Sequence, residues 1–202
     1  KILIIITNMN NNLIYAIHNN LDISFCNSVI NYFHEKDNLN LTFSSHIANN
    51  IVNKNIRNSI SYGFNKSNEI ENYYKTILHT NLKNAFKTYL IFLKNYNINL
   101  DYINKLDIKI LDTGFGITKY IKNNGFFTNH SDFNPTNFAN IRLFTYLWYL
   151  NDVNEGGETE FIDGTKIKSE TGKLIFFPAT WPYVHIGNMP ISNDKYIIIG
   201  WI

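Results

Sequence analysis

"RLFTYLWYLND", residues 142–152, decides how the fold is read. Successive residues of an extended chain point to opposite sides, so Phe144, Tyr146 and Trp148 would share one face and Leu147 and Tyr149 the other. Large apolar side chains on both faces suit a strand covered on both sides. Turn signals follow, "EGG" at 155–157 and "DG" at 163–164, the second suited to a tight hairpin. "KLIFFPA" (173–179) and "KYIIIGWI" (195–202) supply further strands, and "KILDTGFGITKYI" (109–121) offers Gly114 and Gly116 as bends.

The first half has another texture. "EIENYYKTILHTNLKNAFKTYLIFLKNY" (69–96) is the clearest helix, with Ile70, Tyr73, Tyr74, Ile77, Leu78, Leu82, Ala85, Phe86, Tyr89, Leu90 and Leu93 at three-four spacing. Its aromatic stripe is read as core packing rather than a cofactor face. "DISFCNSVINYFHEK" (22–36) predicts a second helix capped by Ser24, with Phe25, Cys26, Val29, Ile30 and Phe33 on one face. Residues 50–68 are polar and irregular and read as loop with one short strand. Helices first and antiparallel strands afterwards predict an α+β fold with a sandwich or barrel in the second half.

At 202 residues the chain fits one domain, 1–202, mainly helical over 1–106 and sheet-forming over 107–202. Its 18 basic and 16 acidic side chains give a net charge of +2 without a cationic stripe, which disfavours nucleic acid as partner. The single cysteine, Cys26, excludes an internal disulfide and any zinc site needing two thiolates. That fits a reducing, cytoplasmic setting. No apolar run approaches the ~18–20 residues of a membrane span. "KILIII" is too short for a signal-peptide core, and Asn-rich tracts such as "NMNNN" read as loops.

Within this frame "NHSDF" (129–133) places His130 and Asp132 two positions apart, on one face of a strand. Residue frequencies put such a pair in roughly one chain in five of this length, so it needs company. His18, His34, His46 and His79 lie in polar or helical surroundings, whereas His185 follows "FFPATWPYV" in the sheet-forming half. Two histidines and a carboxylate make a facial triad that leaves positions open on a ferrous ion. In "KYIIIGWI" Lys195 heads the face shared by Ile197, Ile199 and Trp201, and a buried lysine there would need an anionic partner. Alternatively, Lys195 begins its strand in water. A keto acid with a second carboxylate would satisfy both the triad and the lysine.

Together "NHSDF", "RLFTYLWYLNDVNEGGETEF", "GKLIFFPA", "HIGNMP" and "KYIIIGWI" resemble the 2-oxoglutarate- and Fe(II)-dependent oxygenases of the prolyl 4-hydroxylase-like group. The likeness covers about 108 to the C-terminal residue and includes the step of ten from His185 to Lys195 and of six more to Trp201. It implies a double-stranded β-helix (jelly-roll) core braced by N-terminal helices. It implies that His130, Asp132 and His185 bind Fe(II) and that Lys195 holds the far carboxylate of 2-oxoglutarate. Tyr120, ten residues before His130 where nine is more usual, corresponds to a tyrosine bonded to that co-substrate. Thr145 of the "RxxT" strand lines the pocket, Trp201 packs beside it, and Arg142 corresponds to a substrate-contacting arginine. Strand parity, however, sets Arg142 opposite Thr145. Gly156 and Gly157 are read as a turn rather than a contact, and Glu158 and Glu160 as structural.

The implied reaction hydroxylates an unactivated C–H with 2-oxoglutarate and O2 as co-substrates, yielding succinate and CO2, with ascorbate as an optional reductant. A peptidyl prolyl residue is the expected substrate. A lysyl residue, a free amino acid or another small metabolite is the alternative within the same chemistry. A non-catalytic jelly-roll binding module and a keto-acid-independent cupin-type metal protein are the alternatives outside it.

Overall fold

The structure is a computed structural model and describes residues 13–47, 50–64, 68–98, 100, 113–133 and 141–202. The readings of "KILIII", of "NMNNN" and of the strand start at 109–112 lie outside the described residues. Twelve strands are present among the described residues: β1 (Tyr15–Ile17), β2 (Phe43–Ser44), β3 (Arg57–Asn58), β4 (Ile60–Gly63), β5 (Gly116–Tyr120), β6 (Phe126–His130), β7 (Phe144–Tyr149), β8 (Thr159–Phe161), β9 (Lys166–Ile167), β10 (Leu174–Pro178), β11 (His185–Gly187) and β12 (Lys195–Trp201). The helices are α1 (Ile23–Asn38) and α2 (Glu69–Lys94). Seven strands pair in the order β1-β10-β7-β12-β5-β4-β2 and five in the order β3-β6-β11-β8-β9, every neighbour antiparallel.

The central strands β10, β7 and β12 explain the layering. Phe144, Tyr146 and Trp148 of β7, Leu174 and Phe176 of β10, and Tyr196 and Ile198 of β12 face the helices and share a core with Phe33, Leu78, Leu82 and Tyr89. Their alternates Leu147, Tyr149, Ile175, Phe177 and Ile197 pack with Phe161 of β8 and with Tyr183, so a second core lies between the two sheets. All six residues of β7 are buried, as its sequence requires. Two antiparallel sheets over a common core, backed by two helices, are consistent with a jelly roll.

α2 starts where Asn68 accepts a hydrogen bond from the Glu71 backbone N–H, with Glu69 and Glu71 favourable at the positive helix end. Tyr74, Leu78, Leu82, Ala85, Tyr89 and Leu93 form its buried stripe, and Tyr89 stacks on Phe176 with ring centroids 5.0 Å apart. Each such buried ring contributes roughly 2–3 kcal/mol. Ile70 and Tyr73, expected on this stripe, are 50% and 60% exposed. They lie to one side of the buried stripe, which at this end runs through Glu71 and Tyr74. α1 is capped at Asp22, not Ser24, and its cap makes no side-chain hydrogen bond.

The N-terminal half is less exclusively helical than its periodicity suggests. It contributes β1 to β4, two of them within the stretch read as loop with one strand. β1 pairs with β10 and β4 with β5, so both halves share one sheet. The predicted "DG" hairpin joins β8 to β9. No helix among the described residues is long and apolar enough to cross a membrane.

One buried charge ties these layers together. Glu71 is fully buried, and its Oε1 accepts from the Tyr32 hydroxyl at 2.9 Å and the Tyr62 hydroxyl at 2.7 Å, linking α2 to α1 and β4. Glu71→Ala should lower stability by about 3 kcal/mol, because two buried hydroxyls lose a charged acceptor. Urea unfolding checks this, and Glu71→Gln should lose less.

Candidate active site

His130 closes β6 and His185 opens β11, directly opposite each other in the ladder. From His185 to Gly187 β11 advances two residues while β6, from His130 back to Phe127, spends three. That irregularity is a bulge, a device that re-aims side chains beside active sites. It lets Phe127 stack on His130 at a centroid distance of 3.5 Å, although strict alternation would separate residues three apart.

Asp132 lies just beyond β6, and the ligating atoms of His130, Asp132 and His185 all fall within 4.8 Å of one another. His130 Nε2 is 3.8 Å from Asp132 Oδ1, and His185 Nε2 is 3.8 Å from Oδ2. The other ring nitrogens fix the tautomers. Nδ1 of His130 sits 2.8 Å from the Thr128 carbonyl oxygen and Nδ1 of His185 is 3.0 Å from that of Tyr183. A carbonyl only accepts, so both Nδ1 atoms carry hydrogen and both Nε2 atoms turn a lone pair inward.

The protonation states suit a cation. Burial pushes His130 down to about 4, helped by His185 and opposed by Asp132, so its ring is neutral at pH 7. Burial raises the Asp132 carboxyl, but the two imidazoles and the Thr145 hydroxyl outweigh it and hold the group below the usual carboxylate range. Thr145 Oγ1 donates to Asp132 Oδ2 at 2.7 Å. Two imidazoles and one carboxylate on one side of a point fit a ferrous ion and leave further positions for oxygen ligands.

Lys195 occupies the same inter-sheet face of β12 as Ile197. It is 2% exposed, and its Nζ donates to the Gly157 carbonyl at 2.6 Å between the Tyr120 and Tyr149 rings, whose centroids lie 5.5 and 5.3 Å away. No carboxylate of the described residues is within ion-pair distance. Burial therefore pushes the ammonium down to about 7, with only Glu158 opposing.

Residues 115–202, which contain all four of these side chains, match the model of the 2OG-Fe(II) oxygenase superfamily. That match takes in 88 of the 202 residues and includes the whole candidate site. This oxygenase is a 2-oxoglutarate-dependent dioxygenase whose reaction takes Fe(II), 2-oxoglutarate and O2. No curated protein matches it in sequence. In fold it is similar to a prolyl hydroxylase from Trichoplax adhaerens, solved with a hypoxia inducible factor oxygen degradation domain peptide fragment, at 19% identity and a TM-score of 0.74 over 95% of this chain and 84% of that one. It is also similar to the viral collagen prolyl hydroxylase of Paramecium Bursaria Chlorella virus-1 (20% identity, TM-score 0.64, 94% of both chains). A Pseudomonas putida prolyl-4-hydroxylase aligns at 14% identity and a TM-score of 0.63, over 94% of this chain and 91% of that one.

Of the other residues singled out in the sequence, Tyr120 pairs with Lys195 across β5 and β12. Trp201 pairs with Thr145 across β12 and β7, beside Asp132. Arg142 departs from its expected parity because β7 begins only at Phe144; its Nη1 donates to the Asp132 backbone oxygen at 3.2 Å. Gly157 is more than a turn residue, since its carbonyl holds Lys195. Tyr149 was not singled out, yet it flanks the same ammonium and its hydroxyl donates to Thr159 Oγ1 at 2.7 Å. Its parity with Thr145 was the available signal. Phe127 had none.

A lysine whose folded value lies near 7 against ~10.4 unfolded destabilises the ligand-free protein. The penalty is full below pH 7 and relieved as pH rises towards 10. Lys195→Met should therefore stabilise the ligand-free protein at pH 7 by a few kcal/mol, roughly. The gain should shrink towards pH 10. Denaturant midpoints across that range test the sign, and the same variant should lose 2-oxoglutarate binding.

Proposed function

We propose that this dioxygenase hydroxylates a peptidyl prolyl residue, releasing succinate and CO2. The chemistry rests chiefly on one observation: a metal-ready His-Asp-His cluster occurs with a buried ammonium that has no carboxylate partner among the described residues. In this reading His130, Asp132 and His185 hold Fe(II) through Nε2, a carboxylate oxygen and Nε2. Lys195 takes the far carboxylate of 2-oxoglutarate, which supplies the counter-charge the fold withholds. Tyr120 and Tyr149 flank that ammonium and keep water from it. Bound iron supplies the oxidising chemistry, in which one atom of O2 enters the product hydroxyl and the other enters succinate. No side chain need act as general base. Helices and sheets form one domain with a double-stranded β-helix core.

The fold likeness to three prolyl hydroxylases supports a prolyl target, and the relative bound to a peptide fragment supports a peptidyl one. Exposed apolar side chains on segments next to the site residues add to this. Phe133 follows Asp132, Ile162 donates its N–H to the Val184 carbonyl beside His185, and Trp181 sits in the 3₁₀ turn before it. These side chains are 42%, 71% and 76% exposed. Exposed apolar side chains in these segments suit an uncharged peptide segment better than a small polar metabolite.

Anaerobic Fe(II) and 2-oxoglutarate should together produce a visible charge-transfer band. Adding O2 with proline-containing peptides should yield succinate and a peptide heavier by one oxygen atom, measured by mass spectrometry. A folded protein with neither band nor succinate would remove the chemistry. Oxygen incorporated into free proline or lysine but not into peptides would remove the substrate.

A further inference from the structure

Asp132 is gripped by more than a metal site strictly needs. Thr145 Oγ1 donates to its Oδ2, and Trp201, opposite Thr145 in the β12–β7 ladder, turns its indole towards the same carboxylate. The Trp201 Nε1 is buried and makes no hydrogen bond of ordinary geometry among the described residues, whereas buried donors are nearly always paired. On the indole face lies Arg142, its guanidinium carbon 3.5 Å from the ring centroid, while its Nη1 holds the Asp132 backbone carbonyl. The guanidinium is thus committed on two sides, to the ring and to the ligand's own main chain. Asp132 sits at 6% exposure among these groups.

An unsatisfied N–H aimed at a carboxylate makes chemical sense if that carboxylate shifts when it binds a cation. Once one oxygen is given to a metal, the other must be held if the group is to keep a single denticity. Thr145 can supply one donor, and the unpaired indole N–H is placed to supply a second. The planar guanidinium then fixes the tilt of the indole, which a lysine could not do, because stacking needs the flat delocalised cation.

We propose that Trp201 and Arg142 are positioning residues for the metal, the indole N–H closing on the Asp132 carboxylate when a cation binds and the guanidinium clamping the indole in place. This assigns Arg142 a task other than substrate contact. The proposal rests on the reading of Asp132 as a metal ligand.

The test titrates Mn(II) by electron paramagnetic resonance into the metal-free full chain and its variants, and records the visible spectrum of the Co(II) forms. Trp201→Phe keeps the ring and deletes the donor. It should weaken Mn(II) about tenfold, as loss of a group behind a metal ligand commonly does, and alter the Co(II) bands. The KM for 2-oxoglutarate at saturating iron should move less than twofold. Arg142→Met should weaken Mn(II) about threefold, and Arg142→Lys should not restore it. Thermal melting of the metal-free variants separates these effects from unfolding, and if Trp201→Phe does not fold, the arginine pair carries the same expectation. Mn(II) affinity and Co(II) spectra equal to wild type would overturn the proposal, as would a defect confined to the KM for a peptide. Absence of Mn(II) and Co(II) binding in wild type itself would instead overturn the reading of Asp132 as a ligand, a different failure.

Discussion

Burial on both faces of three adjacent strands is the constraint from which the rest of the molecule follows. Each residue of β7 must satisfy one of two solvents, the helix-backed core or the space between the sheets. The helix-side space is filled by apolar side chains, with aromatic contacts such as Tyr89 against Phe176 and Phe144 prominent among them. The inter-sheet space is apolar through Leu147, Ile175, Phe177 and Ile197, yet the same parity admits Thr145 and Lys195. Polar groups in such surroundings keep their interactions undiluted by water, which makes Thr145 an effective brace for Asp132. The site is therefore a property of the interior face of a rigid sheet, with both histidines entering from the opposing one.

How much of this the sequence discloses depends on whether the signal is local. Strand parity in "RLFTYLWYLND" places Thr145 and Tyr149 inside, and the spacing from His185 to Lys195 to Trp201 runs through recognisable strands. What escapes is non-local. β1 to β4 are two to four residues long, too short for a period, and exist because β10, β5 and β6 offer them an edge. The β6 bulge depends on how Phe126–His130 registers against β11, which no pattern within β6 records. Arg142 turns inward because β7 begins two residues later. Glu71 reads as a first-turn acid on a solvated helix end; only the hydroxyls of Tyr32 and Tyr62, remote in the chain, make it a buried one.

The molecule divides its buried charges into two kinds. Glu71 is surrounded by donors from other elements and serves to hold layers together. Asp132, with Thr145 beneath it and two imidazoles beside it, stays anionic inside the protein before any metal arrives. Native stability is a difference of about 5–15 kcal/mol, so a penalty at one lysine is a large share of it. An aromatic core drawn from 15 Phe, 13 Tyr and 3 Trp gives the fold enough burial to carry that penalty.

The choice of partner for Lys195 completes the logic. A carboxylate beside it would neutralise the ammonium permanently and compete with an incoming dianion for the same donors. A carbonyl does something different: it orients Nζ at 2.6 Å and leaves its charge unmet. That carbonyl belongs to Gly157, whose φ of +73° is the left-handed conformation glycine tolerates best. At Gly156, φ +70°, an added Cβ would meet the Met189 carbonyl oxygen at 2.3 Å, so the turn is closed to side chains there. The Gly157 N–H is tied to that same carbonyl oxygen at 3.0 Å, which anchors the turn against the segment leading into β12. The "GGET" stretch can thus be read physically as a rigid turn presenting one dipole to one ammonium, enough to orient the lysine and too little to satisfy it.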